Sequence, residues 1–114
     1  MTSYERGDIV LVPFPFSNQS ATKKRPAVVV SSAPYNATSQ DLVILAVTSK
    51  VVNTTRIGEC PVKDWQHAGL LKPSAIKPAI STIDRTLIYR KLGALSRPDL
   101  SAMDQALRAL LGLA

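Results

Sequence analysis

The residues best suited to chemistry lie in two short stretches, TKKRP at 22–26 and TS at 48–49. The first contains Arg25, a residue type whose planar guanidinium has five donors and can hold two phosphate oxygens at once. The apolar run PAVVV at 26–30 follows and predicts a buried strand. A side chain at the end of a strand is held more rigidly than one in the middle of a loop, which makes Arg25 the first catalytic candidate.

The hydroxyls of Thr48 and Ser49 come directly after a second apolar run, LVILAV at 42–47. If these two strands are neighbours in one sheet, Arg25 and the hydroxyls open onto one groove. Such a groove suits RNA, in which the 2′-hydroxyl attacks the adjacent phosphate and the substrate supplies its own nucleophile. Arg25 and Thr48 would then stabilise charge in the transition state. Neither of these side chains transfers protons readily, since Arg keeps its proton and Thr is a weak base.

Plainer explanations of the same residues stay open. A Lys-Lys-Arg run is usually a solvated loop, and Thr-Ser commonly ends a strand. His67 and Cys60 are the only histidine and cysteine, so the sequence offers no zinc cluster. We expect His67 to be a surface or packing residue rather than the base of a catalytic triad. The acidic residues are scattered, and we expect no metal site.

Length and charge narrow the class of protein. The 114 residues predict a single domain, 1–114. The net charge of +6 favours a polyanionic partner, nucleic acid before an anionic membrane, although solubility alone would explain it. A single cysteine excludes an internal disulfide and fits a reducing compartment. The N-terminus lacks a signal-peptide pattern, and no apolar run could span a bilayer, so we expect a cytoplasmic protein without membrane contact.

Short apolar runs separated by polar turns predict about six strands. We expect them within residues 9–12, 27–30, 42–49, 57–63, 75–83 and 86–95, the fifth broken by Pro78. Polar loops are expected at 13–24 and 33–40, a projecting segment at 50–56, and a turn with a short helical piece at 64–74. The two longer loops, after the first and third strands, are free to build a site.

The C-terminal segment predicts an amphipathic helix. Ser96 and Asp99 have the spacing of a capping box, and Pro98 suits the first turn. Apolar residues then recur at helical spacing, at Leu100, Met103, Leu107, Leu110 and Leu111. The helix could cover the core, form an oligomer contact, or both. Together with the strands it predicts a small, strongly bent sheet or open barrel.

Five segments, in order, resemble the MazF/PemK family of toxin endoribonucleases: RGDIVLVPFPF at 6–16, KKRPAVVVSS at 23–32, DLVILAVTS at 41–49, AGLLKPS at 68–74 and STIDRTLIYRKLGAL at 81–95. Each is weak alone, but their order and spacing are specific and cover nearly the whole chain. The resemblance implies a mainly β protein, an SH3-like open barrel of short antiparallel strands with a C-terminal α-helix, as in PemK and CcdB.

The resemblance also implies a function. The protein would be a homodimer that cleaves single-stranded RNA sequence-selectively, without a metal or other cofactor. It would leave a 2′,3′-cyclic phosphate or 3′-phosphate and a 5′-hydroxyl, and a cognate antitoxin would cover its RNA groove. The family's catalytic Arg and Thr fall on Arg25 and Thr48, with Ser49 as an RNA contact. Further RNA contacts are expected from the first loop and a later strand, at Asn18, Lys23, Lys24 and Lys77.

The sequence departs from some relatives, which carry an Asp near the position of Lys77 and a His in the first loop. The general base and the cleavage motif are therefore not assigned. Two other functions stay open: a CcdB-type gyrase poison, and a non-catalytic RNA-binding relative. The candidates for base stacking in such a binder are few, namely Phe14, Phe16, Tyr35 and Trp65.

Overall fold

The computed structural model describes residues 3–13, 23–50 and 56–113. Within these ranges one antiparallel sheet has six strands in the order β4-β5-β3-β2-β1-β6. The elements are β1 (Asp8–Val12), β2 (Arg25–Val29), α1 (Ala33–Thr38), β3 (Asp41–Thr48), β4 (Cys60–Val62), β5 (Ser74–Asp84), a 3₁₀ turn (Arg85–Leu87), β6 (Arg90–Ala94) and α2 (Arg97–Leu111). The predicted fold class is confirmed, a curled half-barrel with a C-terminal helix.

Two parts of the prediction lie outside the described residues: most of the first loop, including Asn18, and most of the segment expected to project at 50–56. Neither described helix is long and apolar enough to cross a membrane.

The second strand begins two residues earlier than predicted, at Arg25 instead of residue 27. Arg25 is therefore part of the β-ladder, which restrains its backbone.

Apolar residues on both faces of the sheet are buried. Successive residues of β1 belong to different clusters: Ile9 packs in the first, and Val10 and Val12 pack in the second. This explains the nearly continuous apolar runs of β1, β2 and β3, since a strand covered on both faces needs no polar side. The largest wholly buried side chains come mainly from these strands.

Helix α2 covers the first cluster, as its apolar spacing predicts. Met103 is wholly buried there, and Leu100 and Leu107 pack beside it. The Ser96 side chain accepts the backbone N–H of Asp99 at 3.4 Å, so Ser96 is the N-cap. The helix ends at Gly112, in the left-handed conformation with φ of 70°. The core-covering interpretation of this helix is thus confirmed.

The capping box is only half formed. Asp99 is buried, and its carboxylate accepts the backbone N–H of Lys63 at 3.2 Å and of Asp64 at 2.8 Å. It therefore ties the start of α2 to the turn that follows β4. The sequence spacing could not show this, because the two donors lie 36 and 35 residues away along the chain.

The stretch at 33–40, predicted as a loop, contains helix α1. Ser32 is its N-cap, and a proline stands in its first turn. The amide of Asn36 is buried and donates to the carbonyls of Tyr4 at 3.1 Å and of Ser31 at 2.9 Å. Six residues are too few for a helical period, so the prediction was wrong here.

Two smaller predictions are also wrong. Strand β5 continues through Pro78, where the β3–β5 register shifts between its Leu45 and Val47 pairings, so the proline lies at a bulge that tolerates a missing N–H. The stretch 64–74 contains turns and no helix in the described structure.

We predict that Asp99→Ala lowers the free energy of unfolding by about 1–3 kcal/mol, because two backbone donors lose their acceptor. Asp104→Ala is the matched control on the same helix. It removes a partly exposed ion pair with Arg6 and should cost less than about 1 kcal/mol. Urea unfolding followed by circular dichroism measures both. Equal losses in the two variants would show that Asp99 does not join α2 to the turn.

Candidate active site

The pairing of β2 with β3 brings Arg25 and Thr48 to the same end of the sheet. The observed partners are Ala27 with Ala46, Val28 with Leu45 and Val29 with Ile44. The prediction that these strands are neighbours is therefore confirmed. Continuing the same register by two residues places Arg25 across from Thr48, on the same face of the sheet. Both residues line the groove described next, so the guanidinium and the hydroxyl open onto the same space.

A groove of about 510 Å³ opens where these strands end. Part of its lining is apolar, from Leu11, Pro26, Val47, Leu70, Leu71 and Leu92. Its described polar lining has three hydroxyl side chains and five cations, and neither a carboxylate nor an imidazole. The cations are Arg25, Lys50, Lys72, Lys77 and Arg90. Cations gathered in a cleft of one sign focus the field and concentrate anions.

The hydroxyl oxygen of Thr48 accepts the backbone N–H of Lys50 at 3.1 Å. This bond closes a short turn directly after β3 and orients one lone pair of the oxygen toward the backbone. The hydroxyl keeps its own proton for donation. Ser49 lies within this turn, exposed in the groove lining. The strand end therefore presents one oriented hydroxyl, a second hydroxyl and a cation together.

Two glycines bring another wall of the groove close to β6. A Cβ on Gly69, whose φ is +84°, would lie 2.1 Å from the carbonyl oxygen of Leu92. A Cβ on Gly93 would lie 2.4 Å from the carbonyl oxygen of Ala68. Only glycine permits this backbone contact. Residues 70–72 consequently line the same groove as Arg90, even though they follow a turn far from β6 in sequence.

The predicted site residues divide into three groups. Arg25, Thr48, Ser49 and Lys77 all line the groove. Lys23 and Lys24 are exposed beside it without being part of its lining, and Asn18 is outside the described residues. His67 is exposed on a turn and does not line the groove, in keeping with the expected surface role.

Sequence reasoning missed Arg90, Lys50 and Lys72 as groove residues. Lys50 directly follows the Thr-Ser pair, so its position in the sequence could have indicated a groove residue. The sequence around Arg90 gives no such indication, because Arg90 reaches the groove only through the pairing of β6 with β1, where its partner is Leu11. Such long-range strand order does not follow from local pattern.

Two shifted pKa values lie outside the groove lining. Burial, reinforced by the negative charge of Asp99, raises the pKa of the Cys60 thiol, which stays protonated at neutral pH. The N–H and hydroxyl of Thr86, with the amide of Gln40, lower the pKa of the Asp84 carboxyl. The ionised Asp84 caps the 3₁₀ turn that precedes β6.

Solved structures with the same fold cover nearly the whole chain. A MazE–MazF complex from Deinococcus radiodurans matches with a TM-score of 0.78 and 21% identity, covering 100% of both chains. The Mycobacterium tuberculosis toxin MazF-mt6 matches with a TM-score of 0.76 and 19% identity, covering 94% of this chain and 98% of that one. A mycobacterial endoribonuclease in complex with its cognate antitoxin matches with a TM-score of 0.77 and 18% identity, covering 98% of each chain.

The family profile described as PemK-like, MazF-like toxin of type II toxin–antitoxin system matches residues 5–111. This chain therefore belongs to that family, as the resemblance of its sequence segments predicted. A search of proteins with curated functions found no match.

The groove charges predict a measurable affinity for polyanions. Lys77→Gln should weaken binding of a fluorescent single-stranded DNA, a probe without 2′-hydroxyls. The slope of log K against log salt should fall by about 0.7, because one fewer counterion is released. Lys63→Gln is the control, since Lys63 is exposed on a turn outside the groove lining. Equal changes in both variants would mean that binding follows net charge and not this groove.

Proposed function

We propose that this protein is an endoribonuclease, the toxin of a toxin–antitoxin pair, acting in the cytoplasm through a single domain of residues 1–114. It cleaves single-stranded RNA sequence-selectively. The observation that carries the proposal is that Arg25 and Thr48, at the ends of two paired strands, both line one cationic groove. Membership of the PemK-like, MazF-like toxin family supports it.

The proposed reaction needs no nucleophile from the protein. The 2′-oxygen of the substrate attacks the adjacent phosphorus, the 2′-proton leaves, and the bond from phosphorus to the 5′-oxygen breaks as that oxygen gains a proton. A 2′,3′-cyclic phosphate and a 5′-hydroxyl result, and hydrolysis of the cyclic product gives a 3′-phosphate. The protein aligns these groups and stabilises the extra negative charge on the non-bridging oxygens.

Arg25 and Thr48 divide the stabilisation of that charge. The guanidinium holds two non-bridging oxygens, and the Thr48 hydroxyl donates to one of them. Because the Lys50 N–H already bonds to the hydroxyl oxygen, the Thr48 side chain is oriented before substrate binds. Ser49 and Lys77 bind the flanking backbone, and Lys23 and Lys24 attract RNA from outside the groove.

The proposed protein partners are suggested by the family and by the complexes in which structurally similar proteins were solved. A MazF of the same fold was solved with MazE, and a mycobacterial endoribonuclease with its cognate antitoxin. We propose that a cognate antitoxin covers the groove of this chain and that the toxin is a homodimer. No metal or other cofactor takes part.

We predict that Arg25→Ala and Thr48→Ala each reduce cleavage of a long single-stranded RNA at least ~100-fold, as for loss of a transition-state donor. Gel analysis of time courses measures the rates. Lys63→Gln should cleave at the parental rate, and analytical ultracentrifugation should give one molecular mass for all variants. Cleavage by Arg25→Ala at the parental rate would overturn the proposed mechanism.

We predict that cleavage continues in EDTA, because the groove's cations replace a metal ion as the source of positive charge. The fragments should carry 5′-hydroxyls, which polynucleotide kinase labels without prior phosphatase treatment. Complete loss of activity in EDTA, restored by magnesium, would instead indicate a metal-dependent nuclease. A protein that cuts no RNA under any of these conditions would not be an endoribonuclease.

A further inference from the structure

The polar residues of the groove follow the order of the strands across the sheet. Four of them lie on different strands, and all four line the groove: Lys77 on β5, Thr48 at the end of β3, Arg25 at the start of β2 and Arg90 at the start of β6. Because the sheet order is β5-β3-β2-β1-β6, these residues form a row that crosses the strands. Neighbouring strands are about 4.8 Å apart, so the row extends over roughly 20 Å of the curled sheet.

Strand β1 contributes an apolar residue to this row. Its residue in the described groove lining is Leu11, which pairs with Arg90 of β6 on one side and with Pro26 of β2 on the other. Directly paired residues lie side by side on one face of a sheet, and all three of these line the groove. Two strand spacings, about 10 Å, therefore separate the backbone at Arg90 from β2, the strand of Arg25, with an apolar surface between them.

The turn that Gly69 brings against β6 adds a second apolar surface to the groove. Leu71 lies in this turn, lines the groove and is 94% exposed. Burying so exposed a leucine against a ligand is favourable. An apolar surface beside a guanidinium suits a nucleotide, because its base has an apolar face and its phosphate binds Arg.

We propose that the RNA crosses the β-strands along this row and that Arg90 binds the phosphate of a nucleotide next to the cleaved bond. The base of that nucleotide lies on the apolar surface of Leu11 and Leu71. Arg90 is thus a substrate-binding residue that anchors the strand away from the reacting atoms. Its contact is the same before and during the reaction, so it lowers KM and leaves kcat unchanged. The proposal rests on the proposed function, since its ligand is the RNA strand.

Steady-state cleavage kinetics test the role of Arg90. Arg90→Gln should raise KM about 10- to 100-fold, the loss of a charged hydrogen bond, and leave kcat at the wild-type value. Arg97→Gln is the matched control, since Arg97 is exposed at the start of α2 and outside the groove lining. Equal urea midpoints check that both variants fold. A wild-type KM in Arg90→Gln, or the same KM in both variants, would overturn the proposal.

Leu71→Ser tests where the base of this nucleotide lies. On intact RNA it should raise KM about 3- to 10-fold through the loss of apolar contact. On RNA that is abasic at the same nucleotide it should cause no further rise. A wild-type KM in Leu71→Ser would overturn the placement of the base.

A series of RNAs, each with one neutral methylphosphonate linkage, locates the phosphate that Arg90 binds. A 2′-methoxy group at the mapped cleavage site keeps each strand intact. At one linkage beside that site the neutral RNA should bind the wild-type protein weakly, and there Arg90→Gln should cause no further loss. A loss of the same size on every RNA would overturn the contact. If the wild-type protein cleaves no RNA, the proposed function falls together with this proposal, whereas a failure confined to the Arg90 experiments overturns this proposal alone.

Discussion

The candidate site depends on a single register, that of β2 against β3. A slip of one residue would turn Arg25 to the other face of the sheet and remove it from Thr48. Polar contacts at the far end of the same strand pair fix the register. Val30 donates its N–H to Val43 at 2.9 Å, and the Ser31 hydroxyl accepts the N–H of Val43 at 3.1 Å. Helix α1 joins the two strands there, so a part of the fold remote from the groove positions its chemistry.

The sequence pattern predicted those features that depend on residues close together in the chain. Arg25 and Thr48 each adjoin an apolar run, and a strand end is visible from composition alone. The terminal helix has a repeating apolar face and an N-cap within one continuous segment, so its start and its buried face could be predicted. The adjacency of β2 and β3 was a conditional expectation, and pairing of consecutive strands is the commonest arrangement.

The features that escaped prediction arise from contacts between distant segments. Arg90 reaches the groove because β6, the last strand in the chain, pairs with β1, the first. Pro78 does not end β5, because it lies in a bulge of β5 between the pairings of Ile76 and Ile80, where its missing N–H is harmless. Asp99 leaves its expected bond to the cap for two donors in another turn. In each case tertiary bonding, which a single sequence does not display, overrides the local preference.

Charge in the groove also constrains its partners. Five cations lining one cleft repel one another, and no described groove residue carries a compensating carboxylate. Any polyanion that enters relieves this repulsion, so the same field that draws in RNA draws in an acidic protein segment. The proposed RNA and the proposed antitoxin then use the same charges, and occupancy by one opposes occupancy by the other. An antitoxin that occupies the groove would thus inhibit the toxin without changing its conformation.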